Sequence, residues 1–149
     1  MSWQAGAFIG VMLNIIEKVE ALAKVSLFAQ LGARERLLIA LICTEEELAV
    51  GEILCQQGEE GDELYLILEG VVSVRIGSNE ESKEVARMGS GSCIGEMSLF
   101  SGKPRNATLV VEEKSRILFL SGVMLHELIR DYPQISLGVI QSLVQRLEG

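Results

Sequence analysis

Proline is nearly absent from this chain, two residues in 149 against fifteen glycines. Such a chain has few rigid breaks and many places for tight turns between short strands. Histidine occurs once. Cysteine occurs three times, at Cys43, Cys55 and Cys93, spaced 12 and 38 residues apart with no CxxC pair. That excludes a zinc centre of the usual spacing, and the odd number argues against a disulfide framework. The thiols read as small buried apolar residues in a reducing compartment. Lys and Arg are also scarce, 13 against 21 Asp and Glu, for a net charge of −8 and a pI near 4.7. This balance excludes non-specific nucleic-acid binding, which depends on clustered cations, and no nucleic-acid contact by this chain is expected. The N-terminal apolar run Ala7–Leu13 is too short to span a bilayer, and no Lys or Arg precedes Lys18 to open a secretory signal. No membrane span and a cytoplasmic location are the expectations.

The usual catalytic signatures are missing too. Ser92, Ser98 and Ser101 lie outside any G-x-S-x-G elbow, and the glycines of Gly89–Gly91 are not followed by GK[ST]. His126 stands beside Glu127 with no nucleophile near it in sequence. A carboxylate and a guanidinium could serve phosphate chemistry, but hydrolysis of a phosphodiester also needs an activated water and usually metal ligands. We therefore expect a binding protein with no catalytic residue, no metal and no cofactor.

At 48% apolar, the sequence has enough hydrophobic residues for one real core. Residues 5 to 28 read as an amphipathic helix, with Ile9, Leu13, Ile16, Val19, Leu22 and Ala23 near the 3.6 period. This helix either packs on its own domain or docks on another domain or protomer. Ala33–Ile42 reads as a second helix, apolar around most of its circumference. From Glu45 the pattern changes to short strands: 47–50, 53–55, 64–68, 72–76, 84–88, 107–111 and 116–120, separated by glycine-bounded turns. Many short strands at regular spacing point to a small barrel or a sandwich-like roll. Ser121 is placed to cap a helix over Gly122–Arg130, and Pro133 opens a last helix through Glu148. On that helix Ile140, Leu143, Val144 and Leu147 form a stripe suited to a core or a dimer seam.

One stretch, Cys93–Val111, has the ingredients of an anion site. Gly95 lets backbone come close to a ligand. Glu96–Phe100 looks like one or two helical turns, whose first N–H groups face an anion at the positive end of the dipole. Gly102-Lys103-Pro104 turns the chain, and Arg105 follows, able to grip an anion through two parallel hydrogen bonds. Glu96 would repel a phosphate, so it suits a ligand that also offers hydroxyl donors.

The string Gly95-Glu96-x-x-Leu99-x-x-x-x-Pro104-Arg105-x-Ala107-Thr108 resembles the phosphate-binding cassette of the cyclic-nucleotide-binding domain family. Upstream, Gly51-Glu52, Gln57-Gly58-Glu59, Gly61-Asp62-Glu63-Leu64-Tyr65 and Gly70 are similar to the pattern that family shows ahead of its cassette, so the resemblance covers about residues 25 to 148. It implies an α+β, mainly β fold: an eight-stranded β-roll or jelly-roll flanked by N-terminal helices and two C-terminal helices. It also implies a division into an N-terminal helix or linker over 1–24 and a binding domain over 25–149. In this resemblance Arg105 binds the cyclic phosphate, Glu96 takes the ribose 2′-OH with the Gly95 backbone, and the N–H groups of Ser98 and Asn106 complete the cradle. Met97 and Ala107 belong to the same ligand-binding set. The last helix would act as core, seam or a lid over the base. Asn106 departs from the Thr often found after the cassette Arg in relatives that prefer cyclic GMP, without installing the small Ala common in cyclic AMP binders. Cyclic AMP is the expected ligand, with cyclic GMP the alternative. The rival reading is an interaction module of the same fold, a homodimer or a docked domain, working through its terminal helices. A further alternative is the sensor part of a transcription regulator, channel or transporter.

Overall fold

The computed structural model describes residues 13–96 and 98–149, and divides them into two compact units. One is helical and comprises the described residues up to Cys43 together with Leu120–Gly149; the other is the β unit Thr44–Phe119.

In the helical unit, α1 (Ile15–Ala23) begins at Asn14. The Asn14 side chain accepts from the Glu17 N–H at 2.9 Å while the Glu17 carboxylate accepts from the Asn14 N–H at 3.2 Å, a reciprocal cap that fixes the first turn. The amphipathic pattern predicts a helix over 5–28. Residues 5–12 lie outside the described residues, and the helix ends at Ala23, before a separate 3₁₀ turn at Ser26–Phe28. Val25, Leu27 and Phe28, past the helix end, are all buried. Helix α1 packs on α2 (Ala33–Ile42).

Of the C-terminal helices, α4 is capped by Ser121 as expected, while α5 starts one residue after Pro133, which was expected inside its first turn. The Ser121 hydroxyl accepts from the Met124 N–H at the start of α4 (Gly122–Asp131), helix α3 being the short cassette helix below, and Pro133 is the N-cap of α5 (Gln134–Glu148). The α5 stripe expected to serve as core or dimer seam does not lie in the core. Ile135, Gly138, Val139 and Ser142 are buried, whereas Ile140, Val144 and Leu147 are exposed together with Leu137. Gly138 sets this choice: a Cβ there would lie 2.3 Å from Leu31 Cδ2, so the glycine side of the helix approaches its neighbour.

The β unit is a six-stranded antiparallel sheet: β1 (Thr44–Leu48), β2 (Ile53–Cys55), β3 (Leu64–Ile76), β4 (Lys83–Met88), β5 (Cys93–Ile94) and β6 (Thr108–Leu120, its last residue in the helical unit). The path runs β1-β6-β3-β4, with β2 paired to β6 and β5 to β3. The mainly β fold stands, with six strands where eight were expected. The difference lies in the two long strands, each thirteen residues, which run through positions where the sequence suggests a break. At Glu69-Gly70, Gly70 takes φ +111° and the strand runs on, paired with β5 before the glycine and with β4 after it. A Cβ on Gly70 would fall 2.1 Å from Ser115 Oγ and 2.7 Å from Ser115 Cα, so β3 and β6 meet through this glycine. The interior holds Cys55, Tyr65, Ile67, Val72, Leu109, Ile117 and Phe119. One charged pair is buried with them, Arg116 Nε 3.6 Å from Glu45 Oε2.

Candidate functional site

The anion-site stretch leaves the sheet through β5, where Cys93 pairs with Leu66 and Ile94 with Tyr65 on β3. Gly95 follows at φ +90°, a left-handed conformation that would strain any side chain. Space demands glycine as well, because a Cβ there would lie 2.7 Å from the Glu63 carbonyl oxygen and 3.0 Å from Arg105 Nη1. The helical turn α3 spans Ser98–Ser101, later than the predicted Glu96–Phe100, with Leu99 buried beneath it. Its opening is closed locally: the Ser98 N–H donates to the Gly95 carbonyl at 3.0 Å. The chain then turns at Gly102, with Ser101 Oγ accepting from the Lys103 N–H, and reaches Arg105.

Two backbone bonds fix Arg105 before its side chain does anything. Its N–H donates to the Glu59 carbonyl, and its carbonyl accepts from the Gly58 N–H, both at 2.8 Å. The loop carrying Gly58 and Glu59 is further tied by the Gln57 N–H donating to Thr108 Oγ1 at 2.9 Å. The cassette and the β2–β3 loop therefore move as a pair.

Arg105 as a whole is only 7% exposed. Nη2 donates to the Glu63 carbonyl at 2.9 Å and, weakly, to the Tyr65 hydroxyl at 3.4 Å. Its carbon lies 5.3 Å from the centre of the Tyr65 ring, over the face. Gly61 and Gly95 line it with bare backbone, a Cβ on Gly61 falling 3.1 Å from Nε and 3.3 Å from Nη2. Nε has no hydrogen-bond partner; Arg36 Nε on α2 is the other such buried atom among the described residues. No carboxylate forms an ion pair with Arg105 among the described residues, in contrast to the equally buried Arg116 and its Glu45.

Neighbouring groups register this environment. Burial pushes the Glu63 carboxyl above its usual range, helped by Asp62 and Glu46, while Arg105 pulls the other way. Burial also raises the Cys55 thiol and the Tyr65 phenol, again against the pull of Arg105.

The other predicted residues divide. Glu96 is half-buried directly after Gly95, Asn106 is exposed beside Arg105, and Ala107 is buried with its carbonyl accepting from Cys55 Sγ at 3.7 Å. Met97 lies outside the described residues. Sequence reasoning missed Glu63, Tyr65 and Cys55 as members of this cluster. The signal was present, since Gly61-Asp62-Glu63-Leu64-Tyr65 stood out as a motif, but its glycines read as turn formers and Tyr65 as core. His126 is exposed on α4, in the helical unit, and Cys93 is half-buried rather than buried. Among the described residues no His, Cys, Asp and Glu cluster could hold a metal ion, and no helix is long and apolar enough to cross a membrane.

The cluster brings together one buried cation on a fixed main chain, an unpartnered N–H on that cation, and the half-buried Glu96 directly after Gly95. A buried guanidinium of this kind is chemically suited to pair with an anion. Comparison with known proteins points to the same chemistry. The family model for the cyclic nucleotide-binding domain matches residues 45–132. A cyclic nucleotide-gated potassium channel of Rhizobium etli is 28% identical over 136 residues, covering 91% of this chain and 37% of the channel. The chain spans about a third of the length of the curated relatives it matches. Among solved structures, a cyclic nucleotide-binding domain from Methylobacillus flagellatus is 30% identical with a TM-score of 0.74, covering 90% of this chain and 76% of that one. The N-terminal domain of a transcriptional regulator from Streptomyces coelicolor is 29% identical with a TM-score of 0.77, covering 86% of this chain and 90% of that one.

Proposed function

The chain belongs to the cyclic nucleotide-binding domain family, and we propose that it is a regulatory module that binds a cyclic purine mononucleotide, cyclic AMP in preference to cyclic GMP, and turns binding into movement of its C-terminal helices. The observation that carries the reading is Arg105, a residue 7% exposed whose guanidinium lacks a carboxylate partner among the described residues. A buried charge without a counter-ion is costly, and a ligand phosphate is the group that would neutralise it. Arg105 takes the cyclic phosphate, Glu96 accepts from the ribose 2′-OH beside the Gly95 backbone, and Asn106 offers its N–H to a phosphate oxygen. The Ser98 N–H is engaged by the Gly95 carbonyl, so its use by a ligand requires the first turn of α3 to shift. That shift is the first step of the response, because a ligand can only move the chain toward a state it contacts better. The regulated output, whether channel, transporter, kinase or transcription regulator, belongs to the whole protein.

A second reading draws on α5. Leu137, Ile140, Val144 and Leu147 are exposed on one helix, as expected of a module that works by docking independently of nucleotide. Thermal-shift measurement with cyclic AMP, cyclic GMP and AMP separates the two readings. A ligand selective for the folded state must raise the melting temperature, by about 2.7 kcal/mol of stabilisation at a hundredfold excess over Kd. Cyclic AMP should give the largest shift. No shift with any of the three at millimolar concentration would leave the docking module.

A further inference from the structure

Arg105 can only grip an anion bidentately if its planar fork is held at one angle, and the backbone bonds that pin its main chain leave several side-chain torsions free. Two contacts remain to set the fork. The Glu63 carbonyl takes one edge through Nη2 at 2.9 Å. The face is taken by Tyr65, whose ring centre lies 5.3 Å from the guanidinium carbon. Tyr65 is itself immobile: it is 1% exposed, its partner in the sheet is Ile94, and Phe119 meets its ring edge-on at 5.3 Å and 88°. Its hydroxyl does little, since the bonds to Arg105 Nη2 and to the Leu54 carbonyl are long, 3.4 and 3.5 Å. The ring face is the stronger contact, because a desolvated cation over an aromatic face is attracted by the ring quadrupole.

From this we infer that Tyr65 is the positioning residue of the anion site: its ring face fixes the plane of the Arg105 guanidinium before ligand arrives. The inference rests on the cyclic-nucleotide reading for its affinity prediction but not for its structural one. Without the ring, Arg105 would sample several rotamers, and ligand binding would have to order it.

Two measurements test it on the full chain. The first needs no ligand. In wild type the Arg105 Nε–H resonance should be displaced by the Tyr65 ring current. Tyr65→Phe should keep that displacement, and Tyr65→Leu should return the resonance to the position of an ordinary arginine while the backbone amides of the sheet stay dispersed. The same resonance position in all three proteins would overturn the inference. The second is calorimetry with cyclic AMP. Tyr65→Phe should bind within about threefold of wild type, and Tyr65→Leu about tenfold more weakly, the scale of a buried cation–π contact. If Tyr65→Leu does not fold, phenylalanine analogues with increasing fluorine at position 65 preserve shape while draining the quadrupole. Affinity falling with each fluorine supports the positioning role, and a flat series refutes it. A wild-type protein that binds no cyclic nucleotide would sink the proposed function, and the resonance measurement would still decide the role of Tyr65.

Discussion

Arg105→Lys is the sharpest perturbation of the site, because it keeps the charge and removes the shape. An ammonium about 4 Å from a phosphate retains a Coulomb attraction of roughly 4 kcal/mol at an effective dielectric of 20. What it cannot do is present two parallel donors in a fixed plane. Losing one charge-assisted hydrogen bond costs about 1.5–3 kcal/mol, which corresponds to a Kd roughly 10 to 150 times larger. The protein loses something too. The Nη2 bond to the Glu63 carbonyl at 2.9 Å disappears, as does the guanidinium contact over the Tyr65 ring. These contacts contribute on the order of 1 kcal/mol to folding, a fall of about 2–4 °C in melting temperature for a chain of this size. Titration calorimetry with cyclic AMP, run well below the melting point, reads the first effect free of the second. An affinity within threefold of wild type at unchanged stoichiometry would mean that the guanidinium fork does not contact the ligand, and the site assignment would fail with it.

Three further outcomes follow from other parts of the site and fold. Glu96→Ala should weaken cyclic AMP by about tenfold, the scale of a charge-assisted hydrogen bond, and leave the 2′-deoxy analogue within twofold; equal losses for both ligands in calorimetry would remove Glu96 from the ribose. Gly70→Ala combines a φ of +111° with a Cβ 2.7 Å from the Ser115 Cα, and should destabilise the fold by about 3 kcal/mol or more in urea unfolding; a loss below about 0.5 kcal/mol would show that β3 and β6 do not cross there. Burial raises the Glu63 pKa above 4.5, so the folded chain holds this proton more tightly than the unfolded one and stability falls as pH rises through that window. Glu63→Gln should therefore raise the melting temperature at pH 7, the gain shrinking to nothing as pH falls towards 4.5, and a pH-independent difference would refute the assignment of strain to the ionised carboxylate.

Much of this was legible in the sequence because it is local. Gly95, Gly102 and Arg105 stand where a turn, a short helix and a strand must succeed one another, and their chemistry is visible as a string. The cap at Ser121 and the start of α5 at Pro133 are likewise one-turn features that tertiary packing had no reason to override. What stayed hidden is what depends on other segments. The thirteen-residue strands read as pairs because Gly70 looks like a terminator, and only its contact with Ser115 shows that the strand runs on. The α5 stripe looked like core because periodicity gives a helix its apolar faces but not the one that is buried; Gly138 against Leu31 decides that. Glu63 enters the site through a carbonyl, a group every residue has, so its side chain could not announce the role.

The distribution of charge leaves affinity for an anion to local contacts at Arg105 and not to the mean field of the protein. Residues 44–119 hold fifteen Asp and Glu against seven Lys and Arg, which is the whole net charge of −8, while the remainder of the chain carries six of each. The anion site is therefore in the negative part of the protein. A carboxylate about 12 Å from the phosphate repels it by only about 0.3 kcal/mol in water, and physiological salt, with a screening length near 8 Å, cuts this severalfold. Even the full excess of eight then opposes binding by less than one good charge-assisted hydrogen bond supplies. The field does, however, scale with ligand charge. A ring-closed phosphodiester carries one negative charge and an open phosphomonoester close to two, so the repulsion on AMP is about twice that on cyclic AMP. An acidic unit carrying the proposed anion site at Arg105 would thus discriminate between the two before any contact with the base is made.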